Sequence, residues 1–151
     1  MHTLNAPIGA DGILLDILVG HANANVLLLR RSGRPIPAAV ALRALVDTGA
    51  EISCVDQQAL APLVAQGLQL GRIVLANLPA AGGLSPTREF VVSLTLLHPS
   101  NDPRANLVLR NQPVMEQSLG SLGYQALIGR DVLDRCLHWH NGPDKLFTLV
   151  Y

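Results

Sequence analysis

The chain has 151 residues, which is enough for one domain with a buried core but too few for two full lobes. Eleven basic and eleven acidic residues give a formal net charge of zero, and no basic stripe is present of the kind that attracts nucleic acid. Apolar residues make up 49% of the sequence, yet no uninterrupted apolar run approaches the roughly 18 residues that span a bilayer, so neither nucleic acid nor a membrane is an expected partner.

The amino-terminal segment and the cysteines indicate a cellular compartment. The first Lys or Arg after Met1 is Arg30, so the segment lacks the basic start of a secretory signal. Cys54 and Cys136 form neither a CxxC motif nor a disulfide framework, and both have apolar neighbours. We therefore expect a cytoplasmic protein with reduced, buried thiols.

Short apolar runs separated by Gly, Pro, Asn and Asp predict a protein made mainly of β-strands. In chain order the predicted strands are Ile13–Val19, Val26–Arg31, Ala39–Val46, Arg72–Ala76, Glu89–Leu97, Asn106–Arg110 and Ala126–Ile128. A short helix is predicted over Asp56–Gly67, with Asp56 as its N-cap, and a second over Arg130–Cys136.

The carboxyl-terminal segment predicts a hairpin. Asn141-Gly142 is a strong turn signal, and it separates two strand-like runs at Leu137–His140 and Leu146–Val150. No repeat, linker or low-complexity segment suggests a second domain, so residues 1–151 are expected to form one.

A carboxylate stands directly after an apolar strand end, where Val46 is followed by Asp47-Thr48-Gly49. An acid at the mouth of a core strand must find hydrogen-bond donors or a charge partner, or take up a proton. Gly49 permits a tight turn, and the Thr48 hydroxyl can brace it. A surface turn of the Asx type is the alternative interpretation of this tripeptide taken alone.

The flanking residues resemble a known family. The run Ala44–Val55, which reads ALVDTGAEISCV, resembles the active-site segment of retropepsin-like aspartic proteases, and Ala126–Leu133, which reads ALIGRDVL, resembles the second signature of that family. The resemblance covers residues 40–151 and leaves residues 1–39 as a variable amino-terminal portion. It implies an all-β, closed barrel-like acid-protease fold with one or two short helices, one lobe per chain, and no cofactor.

The resemblance also implies an activity, which is aspartic endopeptidase cleavage of extended polypeptide segments. Asp47 is then the catalytic carboxylate, with Thr48 and Gly49 as active-site support. Two carboxylates must share one proton in this chemistry, and the chain contains a single Asp-Thr-Gly or Asp-Ser-Gly sequence. A homodimer is therefore expected to supply the second Asp47 at its two-fold axis, where an isologous interface brings a residue against its own copy.

A flap that closes over substrate is expected at Leu78–Pro86, for which an ordinary loop between two strands is the alternative. The resemblance implies substrate contacts at Gly49, Ala50, Glu51, Gly82, Gly83 and Leu84. It also implies an ion pair between Arg130 and Glu51, whose alternative is an exposed arginine that contributes little.

Other interpretations stay open at this point. His138-Trp139-His140 presents two imidazoles on one strand face, but no third ligand is evident, so no metal site is predicted. A non-proteolytic dimerisation or peptide-binding module that retained the fold is the main alternative to the endopeptidase. A protease that is monomeric alone and pairs only on substrate or at high concentration is the other.

Overall fold

The computed structural model describes residues 1–78 and 83–151, and of residues 77 and 78 only the backbone. Within this part the strands are β1 (Thr3–Gly9), β2 (Gly12–His21), β3 (Val40–Val46), β4 (Cys54–Asp56), β5 (Leu70–Leu78), β6 (Gly83–Leu96), β7 (Leu107–Gln117), β8 (Ala126–Ile128), β9 (Leu137–Asn141) and β10 (Leu146–Val150). The helices are α1 (Asn23–Arg31), α2 (Gln57–Ala65) and α3 (Arg130–Leu133), with a 3₁₀-helix at Pro103–Ala105.

One mixed sheet contains all these strands, in the order β5-β6-β7-β4-β8-β3-β2-β1-β10-β9. Most neighbours are antiparallel, whereas β3 with β8 and β4 with β7 are parallel. β2 also pairs with β6, so the sheet curls back on itself around the core. The all-β, barrel-like prediction is thereby confirmed, but as a curled sheet and not as a fully closed barrel, because the edge strands β5 and β9 do not pair with each other in the described part of the chain.

The core lies on the concave side of this sheet, because alternate residues along the long strands point inward. Its largest fully buried side chains are Phe90, Phe147, Leu4, Ile17, Leu60, Leu63, Leu94, Leu96, Ile128, Leu133 and Leu149. Burying a side chain of this size contributes about 1.5–3 kcal/mol, so the packed core is what holds the loops of the site in place.

The helix predictions are partly wrong. α2 begins after Asp56 as expected, and α3 falls inside the predicted second helix. α1 stands where a strand was predicted over Val26–Arg31, so three helices are present in the described part of the chain instead of one or two. A short apolar run does not distinguish a buried strand from a helix by periodicity. Here only Leu29 is buried, and Arg30 and Arg31 complement the negative end of the helix dipole.

The first 39 residues are integrated into the sheet. β1 pairs with β10, and β2 pairs with both β3 and β6. The strand β1 was not predicted from the sequence, because its alternation includes Pro7 and the small Ala6. The predicted carboxyl-terminal hairpin is confirmed: β9 and β10 are antiparallel, and residues 142–145 connect them.

Candidate active site

The Asp47 loop begins where β3 ends. The Asp47 N–H donates to the Ile128 carbonyl at 2.9 Å, which extends the parallel pairing of β3 with β8 by one bond. The Asp47 Oδ1 accepts from the Gly49 N–H at 2.9 Å, and the Ala50 N–H donates to the Asp47 carbonyl at 3.2 Å. A Cβ at position 49 would lie 3.1 Å from that Oδ1, so the tight turn favours glycine. The half-buried carboxylate is thus held by its own loop and faces outward.

The second motif grips this loop through its backbone. The N–H groups of Arg130 and Asp131 donate to the carbonyls of Ala50 and Glu51, at 2.9 and 3.2 Å. A Cβ at Gly129 would lie 2.9 Å from the carbonyl carbon of Ile52, which is closer than side chains tolerate. Backbone hydrogen bonds therefore connect the two motifs that the sequence identified.

The predicted pair of Arg130 with Glu51 is not formed. Among the residues that the structure describes, the ion pairs within 4.0 Å are Arg43–Asp16, Arg72–Glu89, Arg88–Glu116 and Arg104–Asp102. Arg130 and Glu51 are both exposed, so water solvates the two charges and little is gained by holding two long side chains together. Backbone hydrogen bonds make the connection between the motifs instead.

A partly buried acid, which the sequence did not indicate as a site residue, makes a further connection. Asp131 Oδ1 accepts from the Ser53 N–H at 3.0 Å and from the Ser53 hydroxyl at 2.7 Å, and its Oδ2 accepts from Gln112 Nε2 at 2.7 Å. The Ser53 Oγ in turn accepts from the Gly129 N–H at 3.0 Å. The sequence signal for this contact was the presence of an acid within the second motif, since a carboxylate that packs beside a core strand needs hydrogen-bond donors.

A cleft of about 610 Å³ opens beside Asp47. Its lining residues are Asp47, Gly49, Ala50, Glu51, Ile52, Cys54, Arg72, Val74, Leu75, Ala76, Glu89, Met115, Gln117 and Leu127. Arg72 and Glu89 face each other across β5 and β6 with two hydrogen bonds, of 2.8 and 3.3 Å. The cleft is apolar at its base and carries paired charges on its β5–β6 wall.

The predicted substrate contacts divide into two groups. Gly49, Ala50 and Glu51 line the cleft. Gly83 and Leu84 lie at the start of β6 and are not among its lining residues, and the Leu84 side chain is 71% exposed. Gly82 lies outside the described residues, as does most of the predicted flap. The antiparallel pairing of β5 with β6 leads to that segment from both sides, and the flap itself stays a prediction.

A second cavity, of about 600 Å³, shares Asp47 with the cleft and no other lining residue. It is lined by Ile8, Gly12, Ile13, Val46, Asp47, Thr48, His138, Trp139, His140 and Phe147. We call it the β9 cavity, because three consecutive residues of that strand contribute to it. The exposed Thr48 belongs to this cavity and not to the cleft.

The cysteine in the cleft wall is chemically quiet. Burial, followed by the nearby charges of Asp131 and Asp47, raises the pKa of the Cys54 thiol to about 12. A thiol held protonated is a poor nucleophile and a poor metal ligand. Groups of three or more His, Cys, Asp or Glu side chains that could hold a metal ion are not found in the described part of the chain.

Comparisons with known proteins identify the fold. No protein-family model matches the chain, and no curated protein matches its sequence. A retropepsin-like aspartic protease from Rickettsia conorii matches in structure, with a TM-score of 0.57 and 16% identity over 99% of this chain and 90% of that one. The retroviral protease-like domain of Ddi1 from Leishmania major matches with a TM-score of 0.44 and 14% identity, over 90% and 87% of the two chains.

The Rickettsia match shows that this chain has a retropepsin-like fold, and it extends over the first 39 residues as well as the two motifs. No helix in residues 1–78 and 83–151 is long and apolar enough to cross a membrane.

Proposed function

We propose that the chain is one subunit of a homodimeric aspartic endopeptidase, in which Asp47 of two copies together activates a water molecule. The observation that carries this proposal is the position of the Asp47 carboxylate, half-buried at the rim of a 610 Å³ cleft that is large enough for several residues of an extended peptide. The retropepsin-like fold supports the same assignment.

The proposed chemistry needs the two carboxylates within about 3 Å of each other, where only one of them ionises readily. The ionised carboxylate removes a proton from the water, and the protonated one donates to the carbonyl of the scissile peptide. Both apparent pKa values then belong to the pair. The single-chain loop supports this arrangement, because the Gly49 N–H uses one lone pair of Oδ1 and leaves Oδ2 available.

The substrate in this proposal is a polypeptide segment that lies extended in the cleft. Gly49, Ala50 and Glu51 would contact its backbone and side chains from below, as the resemblance implies. Gly82, Gly83 and Leu84 would contact it from the flap. The apolar base, formed in part by Val74, Met115 and Leu127, favours apolar side chains next to the cleaved bond. The cytoplasmic location stays a prediction.

The first test compares the wild type with Asp47→Asn on a mixed peptide library between about pH 4 and 7, read by mass spectrometry. The amide oxygen of asparagine can still accept the Gly49 N–H, so the loop is retained while the ionisable group is lost. We expect cleavage between apolar residues by the wild type and none by the variant. Asp134→Asn, which changes an exposed acid of the same loop-helix region, is the matched control and is expected to cleave normally.

A mixing experiment then tests the dimer. Wild type and Asp47→Asn chains are unfolded together in urea, refolded and assayed at fixed wild-type concentration. At equal amounts the activity per wild-type chain is expected to fall to about half, and at a ninefold excess of variant to about a tenth, because mixed dimers lack one carboxylate. Activity that is independent of the variant would contradict a shared site. If the wild type is inert while dimeric, the peptide-binding module becomes the better proposal.

A further inference from the structure

β9 lies at the outer end of the sheet, and this position has consequences for the second subunit. β10 is hydrogen-bonded to β1 on one side and to β9 on the other over all five of its residues, so neither of its edges is available. Among the described residues no strand pairs with the outer edge of β9. The carboxyl-terminal strand β10 therefore cannot interleave with another chain without unpairing. β9 can accept one.

The edge of β9 carries none of the features that usually protect an edge strand from pairing. Proline, lysine and acidic residues are absent from Leu137–Asn141, and the strand has no bulge against β10. Leu137 and Trp139 lie on one face and are 67% and 53% exposed. A strand with free backbone groups and exposed large apolar side chains is a template for another strand.

β9 also lies beside the carboxylate that needs a partner. His138, Trp139 and His140 line the β9 cavity together with Asp47 and Thr48. A subunit that docks on β9 would thus bring its own Asp47 loop to the same region. An antiparallel strand paired with its own copy is two-fold symmetric, which is the symmetry that two equivalent carboxylates require.

We propose that β9 is the dimerisation edge, and that it pairs antiparallel with β9 of a second copy of this chain. The strands β1, β10 and β9 of one subunit then continue into β9, β10 and β1 of the other. Trp139 lies at the middle of the five-residue strand, and therefore near the two-fold axis. This inference rests on the proposed function for its partner, because the site is incomplete without a second Asp47.

β5 is the other edge of the sheet and the competing surface. Ile73 and Leu75 on it are 65% and 68% exposed. However, β5 lines the cleft with Arg72, Val74, Leu75 and Ala76, so a subunit that added a strand there would lie against the wall of the space proposed for substrate. β9 contributes to the β9 cavity, and none of its residues lines the cleft.

The test measures the mass of each variant by sedimentation equilibrium at several concentrations. Trp139→Lys places two like charges near the axis and is expected to raise the Kd of the dimer by about tenfold or more. The matched controls are Leu28→Lys on α1, 61% exposed, and Ile73→Lys on β5, and both are expected to dimerise as the wild type does. Far-UV circular dichroism checks that each variant is folded. An unchanged Kd in Trp139→Lys, or a loss confined to Ile73→Lys, would overturn the proposal.

Cross-linking provides a second measurement that does not depend on a destabilising charge. Single cysteines are introduced at Leu137, Trp139 or Asn141 in a Cys136→Ser background, in which the remaining Cys54 is 3% exposed. Mild oxidation is expected to give a covalent dimer from at least one of these positions, since symmetric strand pairing brings a residue within about 5.5 Å of its copy. A covalent dimer of Ile73→Cys, together with none from the three β9 variants, would overturn the assignment.

The two proposals fail in different ways. If the wild type cleaves peptides and dimerises while Trp139→Lys does both equally well, the edge assignment is wrong and the proposed function stands. If the wild type stays at 16.1 kDa at all concentrations and is inert, both are overturned.

Discussion

At the scale of single residues, the most informative group is the carboxylate of Asp131. It accepts hydrogen bonds from both the backbone and hydroxyl of Ser53 and from Gln112, and none of the ion pairs among the described residues includes it. Ser53 is 1% exposed and lies four residues after Gly49, so the Asp131 carboxylate holds the far end of the Asp47 loop. We therefore consider Asp131 a positioning residue, because it acts on the loop and does not touch the cleft.

We expect Asp131→Ala to lower the free energy of unfolding by about 2–4 kcal/mol. The substitution leaves three donors without an acceptor, and hydrogen bonds to a charged group are stronger than neutral ones. Urea denaturation measures the loss. Asp134→Ala, three residues further on and exposed, is the control and is expected to change stability by less than about 0.5 kcal/mol. Equal effects of the two substitutions would contradict the role given to Asp131.

At the scale of elements, α2 shows how one side chain joins a helix to a distant loop. Asp56 is the N-cap, and its Oδ1 accepts from the Gln58 N–H at 2.8 Å. Its Oδ2 accepts from the Leu119 N–H at 2.7 Å, and the residue is 3% exposed. The cap was predictable from neighbouring residues, whereas the bond to Leu119 depends on the loop after β7.

We expect Asp56→Ala to lower the free energy of unfolding by about 2–4 kcal/mol, since it removes a cap and a buried long-range bond together. Asp102→Ala makes the same change at the N-cap of the 3₁₀-helix, where the carboxylate is exposed and, among the described residues, bonds to Arg104 alone. This control is expected to lose much less. Thermal and urea unfolding of both variants measure the difference. If Asp56 contributed only as a helix cap, the two variants would lose similar amounts of stability.

At the scale of the whole molecule, one buried histidine sets an acid limit on stability. His21 is 4% exposed at the end of β2, and neither ring nitrogen has a hydrogen-bond partner in the described structure. Burial lowers the pKa of His21 from its ordinary value of 6.5. The unfolded chain then binds a proton more readily than the folded one, so the stabilisation is complete above pH 6.5 and declines as the pH falls below it.

We expect the wild type to lose up to about 1.4 kcal/mol of stability per pH unit from His21 below its ordinary pKa, and His21→Leu to show a flatter dependence. His2→Leu changes an exposed histidine and is expected to follow the wild type. Urea denaturation at a series of pH values measures the slopes. Parallel slopes in wild type and His21→Leu would show that other groups cause the decline. Cleavage assays at acid pH should therefore be accompanied by a stability measurement.

The first 39 residues belong to the scale of the whole molecule as well. β2 pairs with both β3 and β6. It carries four buried core residues at alternate positions, which are Ile13, Leu15, Ile17 and Val19. We propose that residues 1–151 fold as a single lobe, and that the amino-terminal portion is variable in sequence but necessary for the core.

The sequence by itself determined the features that neighbouring residues encode. Strand alternation, the Asp56 cap, the Asn141-Gly142 hairpin and the turn at Asp47 were all predicted from it, because each depends on side chains within a few positions. The retropepsin-like fold followed from two short motifs. The identity of α1 was missed, since a short apolar run satisfies either a strand or a helix until its packing is known.

The tertiary structure alone decided how distant segments meet. The contacts of Ser53 with Asp131 and Gln112, the solvation of Glu51 and Arg130 as separate charges, and the exposed edge of β9 all depend on sheet order and register. Register is set by the burial of one face of every strand at once, so no local stretch of sequence encodes it. For this reason the carboxylate that we propose as catalytic could be named from the sequence, whereas the surface proposed to bring its second copy could not.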